Sequence, residues 1–138
     1  MGTPTKPIPR KFYRVAYQRF EEAEVLFEAG YYNGAVYLAG YAIECMLKML
    51  VLDATPEKEH ESVEAEFRGQ RAHQYEWLRN RYRQTNAPGL PSEIGQSLAF
   101  VGTWETSLRY TPGLGHRQDA ARFLAEARKI LTWADSRI

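Results

Sequence analysis

From Val36 to Leu52 the chain is apolar almost without a break, and only Glu44 and Lys48 interrupt it with charge. Ala35, Ala39, Ala42, Met46 and Met49 make one stripe at three- and four-residue steps, and Val36, Ile43, Leu47 and Leu50 widen it. A helix that is apolar on most of its sides is stable in water only when other helices surround it. The segment therefore predicts a central helix over about 33–53, with Asn33 as its N-cap. Gly34, Ala39, Gly40 and Ala42 would let a neighbour approach closely. Glu44 and Lys48 stand four apart in the favourable order. They read as a partly exposed pair, with Glu44 as a buried carboxylate supporting a site being the alternative. The two charges also make the run too polar for a membrane span.

The same period recurs on both sides. Val15, Phe20, Ala23, Leu26 and Phe27 predict a first helix over about 11–29, closed by Gly30 in a left-handed conformation. Residues 53–66 are acidic, with Pro56 as a breaker, and read as a solvated connection holding at most a short helix. A third helix is expected over about 70–84, with His73, Trp77, Leu78 and Tyr82 inward and Arg71, Arg79, Arg81 and Arg83 outward. After the turn Asn-Ala-Pro-Gly-Leu-Pro that starts at Asn86, Ile94, Leu98, Val101, Trp104 and Leu108 predict a fourth helix over about 91–108. Ala120, Leu124, Ala127, Leu131 and Ala134 predict a last one over about 117–135. No stretch alternates with period two. The expectation is one all-α domain over 11–138, an up-and-down bundle of four to five helices, after a flexible tail over 1–10. Leu38, Ile43, Leu47, Trp77, Leu98, Trp104, Leu124 and Leu131 should be mostly buried.

Composition narrows the function classes. Of 138 residues, 44% are hydrophobic and 25% charged, which fits one globular core and excludes a disordered chain. The formal charge of +1 gives no global field toward nucleic acid or an anionic membrane. Cys45 is a single cysteine in the most apolar segment and reads as a small buried hydrophobe. His60, His73 and His116 are too scattered to suggest a zinc site, and neither a metal nor another cofactor is expected. The prolines of residues 1–10 leave no apolar core for a signal peptide, so a cytoplasmic protein without membrane contact is expected.

The segment GYYNGAVYLAGYAIECMLK, from Gly30 to Lys48, resembles the signature of HEPN (higher eukaryotes and prokaryotes nucleotide-binding) domains. There a first helix ends at glycine, and an alanine- and tyrosine-rich second helix carries a Glu and then a Lys. HQYEWL from His73 is similar to the family's His-x-x-x-x-Leu segment, and WETSLRY from Trp104 also fits. The resemblance covers about 11–133. It implies a helical bundle, a homodimer, and action on RNA or nucleotide. Some members are metal-independent ribonucleases of toxin–antitoxin or defence systems, and others pair with a minimal nucleotidyltransferase.

The family's ribonucleases carry Arg, four to six residues, then His, usually opening the last helix. Arg109 and His116 match that position, although Tyr110 replaces the usual polar residue and Pro112, Gly113 and Gly115 make the interval a loop. Arg68 and His73 match the spacing but open the third helix, where a structural histidine falls. Histidine suits a base for the 2′-OH proton, and arginine suits the charge that grows on phosphate. Arg71, Arg79, Arg81 and Arg83 are candidates for phosphate contact, or a solvated face balancing the acidic run. Tyr31, Tyr32, Tyr37, Tyr41 and Tyr75 could stack on bases or pack between helices. The expected function is a HEPN-type domain that binds or cleaves RNA or nucleotide as a dimer. The alternative is a non-catalytic helical interaction module, such as the partner of a nucleotidyltransferase antitoxin.

Overall fold

A computed structural model describes residues 2–108, 112–113 and 115–138, with the side chains of 104–108 outside that description. Six α-helices follow one another: α1 (Pro7–Glu28), α2 (Tyr32–Asp53), α3 (His60–Glu66), α4 (Tyr75–Arg83), α5 (Ser92–Leu108) and α6 (Arg117–Asp135). Two 3-10 turns, Glu57–Glu59 and Gln70–His73, precede α3 and α4. No strand occurs among the described residues. The protein is an all-α bundle.

α1 starts at Pro7, earlier than the apolar pattern alone predicts. Proline fits there because the first amides of a helix have no partner to lose. Lys6 enters in an extended conformation, and Arg10 donates back from Nε to the Pro4 carbonyl at 3.0 Å and from its terminal nitrogen to Thr5. At the other end Gly30 adopts φ +88°. Its amide returns to the Phe27 carbonyl at 3.1 Å, and Tyr31 reaches back to Leu26 at 2.9 Å. This double closure reverses the chain within a few residues and lays α2 along α1.

α2 is the centre of the bundle and packs on α1, α6, α4 and α5. Ala35, Ala39, Ala42, Ile43, Met46 and Met49 are wholly enclosed. By length and composition α2 could cross a membrane, contrary to the expectation from its two charges, with a mean hydropathy of 1.6 over its most apolar window. In this bundle 83% of that window is buried against other helices, which accounts for its apolarity. The helix begins at Tyr32, so Asn33 lies inside its first turn instead of capping it. The Asn33 side chain donates from Nδ2 to the Gly113 carbonyl at 3.1 Å and ties the α5–α6 connection to α2.

The predicted third helix divides. Gln74, at φ −98° and ψ 125°, is extended and separates the 3-10 turn from α4. Leu78 and Tyr82 of α4 face the core, while Trp77 is half-buried, against Phe67. Ile43, Leu47, Leu98, Leu124 and Leu131 are buried as expected. Leu38 is half-buried and packs against the margin of the core instead of inside it. The Trp104 side chain lies outside the described residues.

Candidate functional site: a cleft between α2, α4 and α5

An open cleft of about 1220 Å³ lies between α2, the segment from Gln70 through α4, and α5. Its geometry follows from side-chain size. Gly102 of α5 lies opposite Tyr75, where an added Cβ would come 3.8 Å from the ring. Gly95, two turns back on the same face, leaves room for Arg79, whose terminal nitrogen would be 3.2 Å from a Cβ there. Tyr75 donates its hydroxyl to the Gly40 carbonyl of α2 at 2.8 Å and fixes the base of α4 against the central helix.

Glu44 is the carboxylate of this site. It is 7% exposed, and its Oε2 accepts from two groups at once. Lys48 Nζ lies 2.8 Å away, one turn on, and His73 Nδ1 lies 3.1 Å away on the 3-10 turn. The expectation of a partly exposed Glu44–Lys48 pair is therefore corrected: Lys48 is also buried, at 6%. A buried carboxylate needs a counter-charge and hydrogen bonds to offset its lost hydration, and these two partners supply them. His73 itself is not a packing residue, since its side chain is 56% exposed and lines the cleft.

Arg79 also lines the cleft. Its Nε is buried without a hydrogen-bond partner, and it makes no ion pair among the described residues. Such an orphaned donor is uncommon, and an oxyanion on the guanidinium fork would offset it. The other candidate arginines differ. Arg81 makes two bonds to Glu66, at 3.0 and 3.2 Å, and Arg83 donates to Asn80 at 3.2 Å. Arg71 is exposed and outside the cleft lining. The four do not form one basic face.

Tyr37 and Tyr41, one turn apart on α2, border the cleft and are 54% and 40% exposed. Tyr31 is exposed as well. Among the described residues, Tyr75 alone of this group is held between helices by a hydroxyl bond to backbone. Beneath them Cys45 is buried, and burial first, then the Glu44 charge, pushes its thiol up to about 11.

The sequence candidates among the described residues are not gathered in one place. Arg109 lies outside the described residues. His116 is exposed at the N-cap of α6 and makes no side-chain cap bond. It follows Gly115, which sits against Asn33 at the start of α2. From Asn33 to Glu44 is roughly 16 Å along the helix axis at 1.5 Å per residue, so the two histidines belong to opposite ends of one α2 face. Arg68 is exposed and does not line the cleft, so the arginine that shares the cleft with His73 is Arg79. The Glu44–His73 contact was not readable from spacing, because its partners are 29 residues apart. No group of three or more His, Cys, Asp or Glu side chains among the described residues could hold a metal ion.

The family model for the HEPN domain matches residues 9–137. The chain belongs to the HEPN family, which at family level supports a nucleotide-binding or ribonuclease-like module. Neither a curated protein nor a solved structure matches the chain.

Proposed function

We propose that this HEPN domain binds RNA or nucleotide in the α2–α4–α5 cleft and acts on it as a homodimer. The observation that carries the reading is Arg79, a cation without an ion pair among the described residues, with a buried unpartnered Nε, in a cleft bordered by exposed tyrosine rings. A guanidinium fork is matched to phosphate. An exposed ring offers a stacking face to any base. Gln70, Gln74 and Thr103 add polar edges to the same walls. A cytoplasmic toxin or defence role is the setting in which such a module would work.

Fluorescence anisotropy with a labelled single-stranded RNA tests it. Arg79→Ala should weaken binding about tenfold, and rising salt should weaken it in wild type. Equal affinity in both proteins would remove Arg79 from the site. Light scattering should give twice the chain mass at micromolar concentration, and a monomer would refute the dimer.

The exposed Tyr31, Tyr37 and Tyr41 favour one second reading, a non-catalytic module whose aromatic face docks a nucleotidyltransferase partner. Under that reading RNA does not bind, and Tyr37→Ala abolishes the protein complex.

A further inference from the structure

Stacking on Tyr37 and Tyr41 would hold any base, because every base has a π-face. Selection among bases has to come from groups that meet their edges. Most polar groups on the cleft lining are occupied or adaptable. Glu44 gives its Oε2 to Lys48 and His73, at 2.8 and 3.1 Å. The Thr103 hydroxyl donates to the Ala99 carbonyl at 3.1 Å, and the Tyr75 hydroxyl to Gly40 at 2.8 Å. Gln70 and Gln74 each carry an amide, which donates on one side and accepts on the other and so suits any edge.

Glu76 differs from all of these. It lines the cleft, is exposed, and makes no ion pair or hydrogen bond among the described residues. Arg79, three residues further along α4, is at the spacing where a helical ion pair forms. Its guanidinium is instead turned to α5, where a terminal nitrogen would lie 3.2 Å from a Cβ at Gly95. Two opposite charges thus share one wall of the cleft without neutralising each other. Arg79 suits the anionic backbone of a nucleotide, whereas Glu76 repels it. Glu76 also stands in the first turn of α4, where a helix favours negative charge. That explains an acidic residue near this helix start, but not one that opens on the cleft unpaired.

We infer that Glu76 makes the cleft selective for guanine. The inference rests on the binding reading above and adds the base that is read. A carboxylate only accepts hydrogen bonds. Guanine alone among the four bases presents two adjacent donors, N1–H and the N2 amino group, on its Watson–Crick edge. That edge is open in a single strand. The two oxygens of Glu76 take one donor each, and a glutamine amide of the same lining donates to guanine O6. Adenine and cytosine offer one amino donor beside a lone-pair nitrogen, and uracil one N–H between two carbonyls. Against each of these the second oxygen of Glu76 would face another acceptor. Arg79 holds the phosphate, and the α2 tyrosines cover the ring.

The test is fluorescence anisotropy on a labelled short oligouridine, plain or with one central guanine, adenine or cytosine. Wild type should bind the guanine strand about tenfold more tightly than the others, the ordinary discrimination of a bidentate contact to a base. Inosine in place of guanine lacks the N2 amino group and should lose most of that margin. A guanine analogue with carbon in place of N7 keeps both donors and should keep the margin. Glu76→Gln exchanges one accepting oxygen for an amide nitrogen and should bring the guanine and adenine strands level. A Glu76 that served only the helix start would shift the melting temperature and leave the order of bases unchanged. Free nucleoside monophosphates, added as competitors, separate the two sources of the base. The same guanine preference among them makes the nucleotide a sufficient ligand, and preference in the strands alone makes the strand the ligand; either result supports the inference. Should Glu76→Gln fail to fold, the inosine strand decides. Four strands bound alike by wild type, or a guanine preference that Glu76→Gln retains, overturn the inference and leave the binding reading standing. Wild type that binds no strand and no monophosphate removes both.

Discussion

Glu44 and Lys48 sit one turn apart inside the most apolar helix of the protein, joined at 2.8 Å and almost wholly shielded from water. Removing one member of such a pair strands the other charge. Glu44→Ala should therefore cost about 3–5 kcal/mol, measured by urea unfolding. Glu44→Leu combined with Lys48→Met should recover most of that loss, because two apolar side chains of similar volume suit the site. A double variant as unstable as the single one would mean that the ionic pair itself is required for folding.

Leu124 projects from α6 into the core and is 9% exposed. Leu124→Ala should destabilise the domain by about 2–5 kcal/mol, as truncations of buried leucines do. A loss well below 1 kcal/mol by chemical denaturation would mean that the α6 stripe is not core.

Gly113 and Gly115 adopt φ +98° and +89°, a region that costs an L-residue strain. Only at Gly115 would a Cβ also collide with the Asn33 side chain; a Cβ at Gly113 would meet nothing within 4 Å among the described residues. Gly115→Ala should therefore lower the melting temperature more than Gly113→Ala does. Equal shifts would mean that the connection does not seat on α2.

Cys45 and Tyr13 predict the alkaline limb of stability. Burial raises the thiol of Cys45 to about 11, and burial with the 2.9 Å bond to Asp135 raises the Tyr13 phenol further. Groups raised on folding stabilise below their unfolded values and lose that contribution as pH rises through the folded ones. The melting temperature should hold to about pH 9 and then fall as pH approaches about 11. Cys45→Ala should make the onset of that fall shallower. At pH 8, iodoacetamide should label Cys45 far more slowly in native protein than in urea, since the thiolate is the reactive form. Equal rates would show that Cys45 is open to solvent.

The helices were legible in the sequence because their signals are local. The three-four stripe of α6 and the glycine after α1 each act over a few residues, and both appear where the pattern puts them. The misplaced features depend on distant partners. α1 begins at Pro7 because Arg10 folds back onto Pro4 and Thr5, which no apolar period records. Gln74 is extended, and that breaks the third predicted helix in two, although its sequence carries neither proline nor glycine there. Arginine spacing suggested one basic face, but Glu66 captures Arg81 while Arg79 turns toward α5. The site is least legible of all. Glu44 and Lys48 look like any exposed helical pair until His73, from another element, closes over the carboxylate.

The extended Gln74 has a consequence for motion. His73 belongs to a single short turn that packs mainly on α4, whereas Glu44 belongs to the helix that every large element surrounds. Amides of α2 should exchange with solvent only when the whole domain opens, and those around residues 70–74 through smaller, more frequent openings. One half of the cleft is thus an anvil and the other an arm held to it at two points, the imidazole–carboxylate bond from His73 and the Tyr75 hydroxyl on the Gly40 carbonyl. Loss of the first would leave the second to hold the arm, and the anvil would stay as it is.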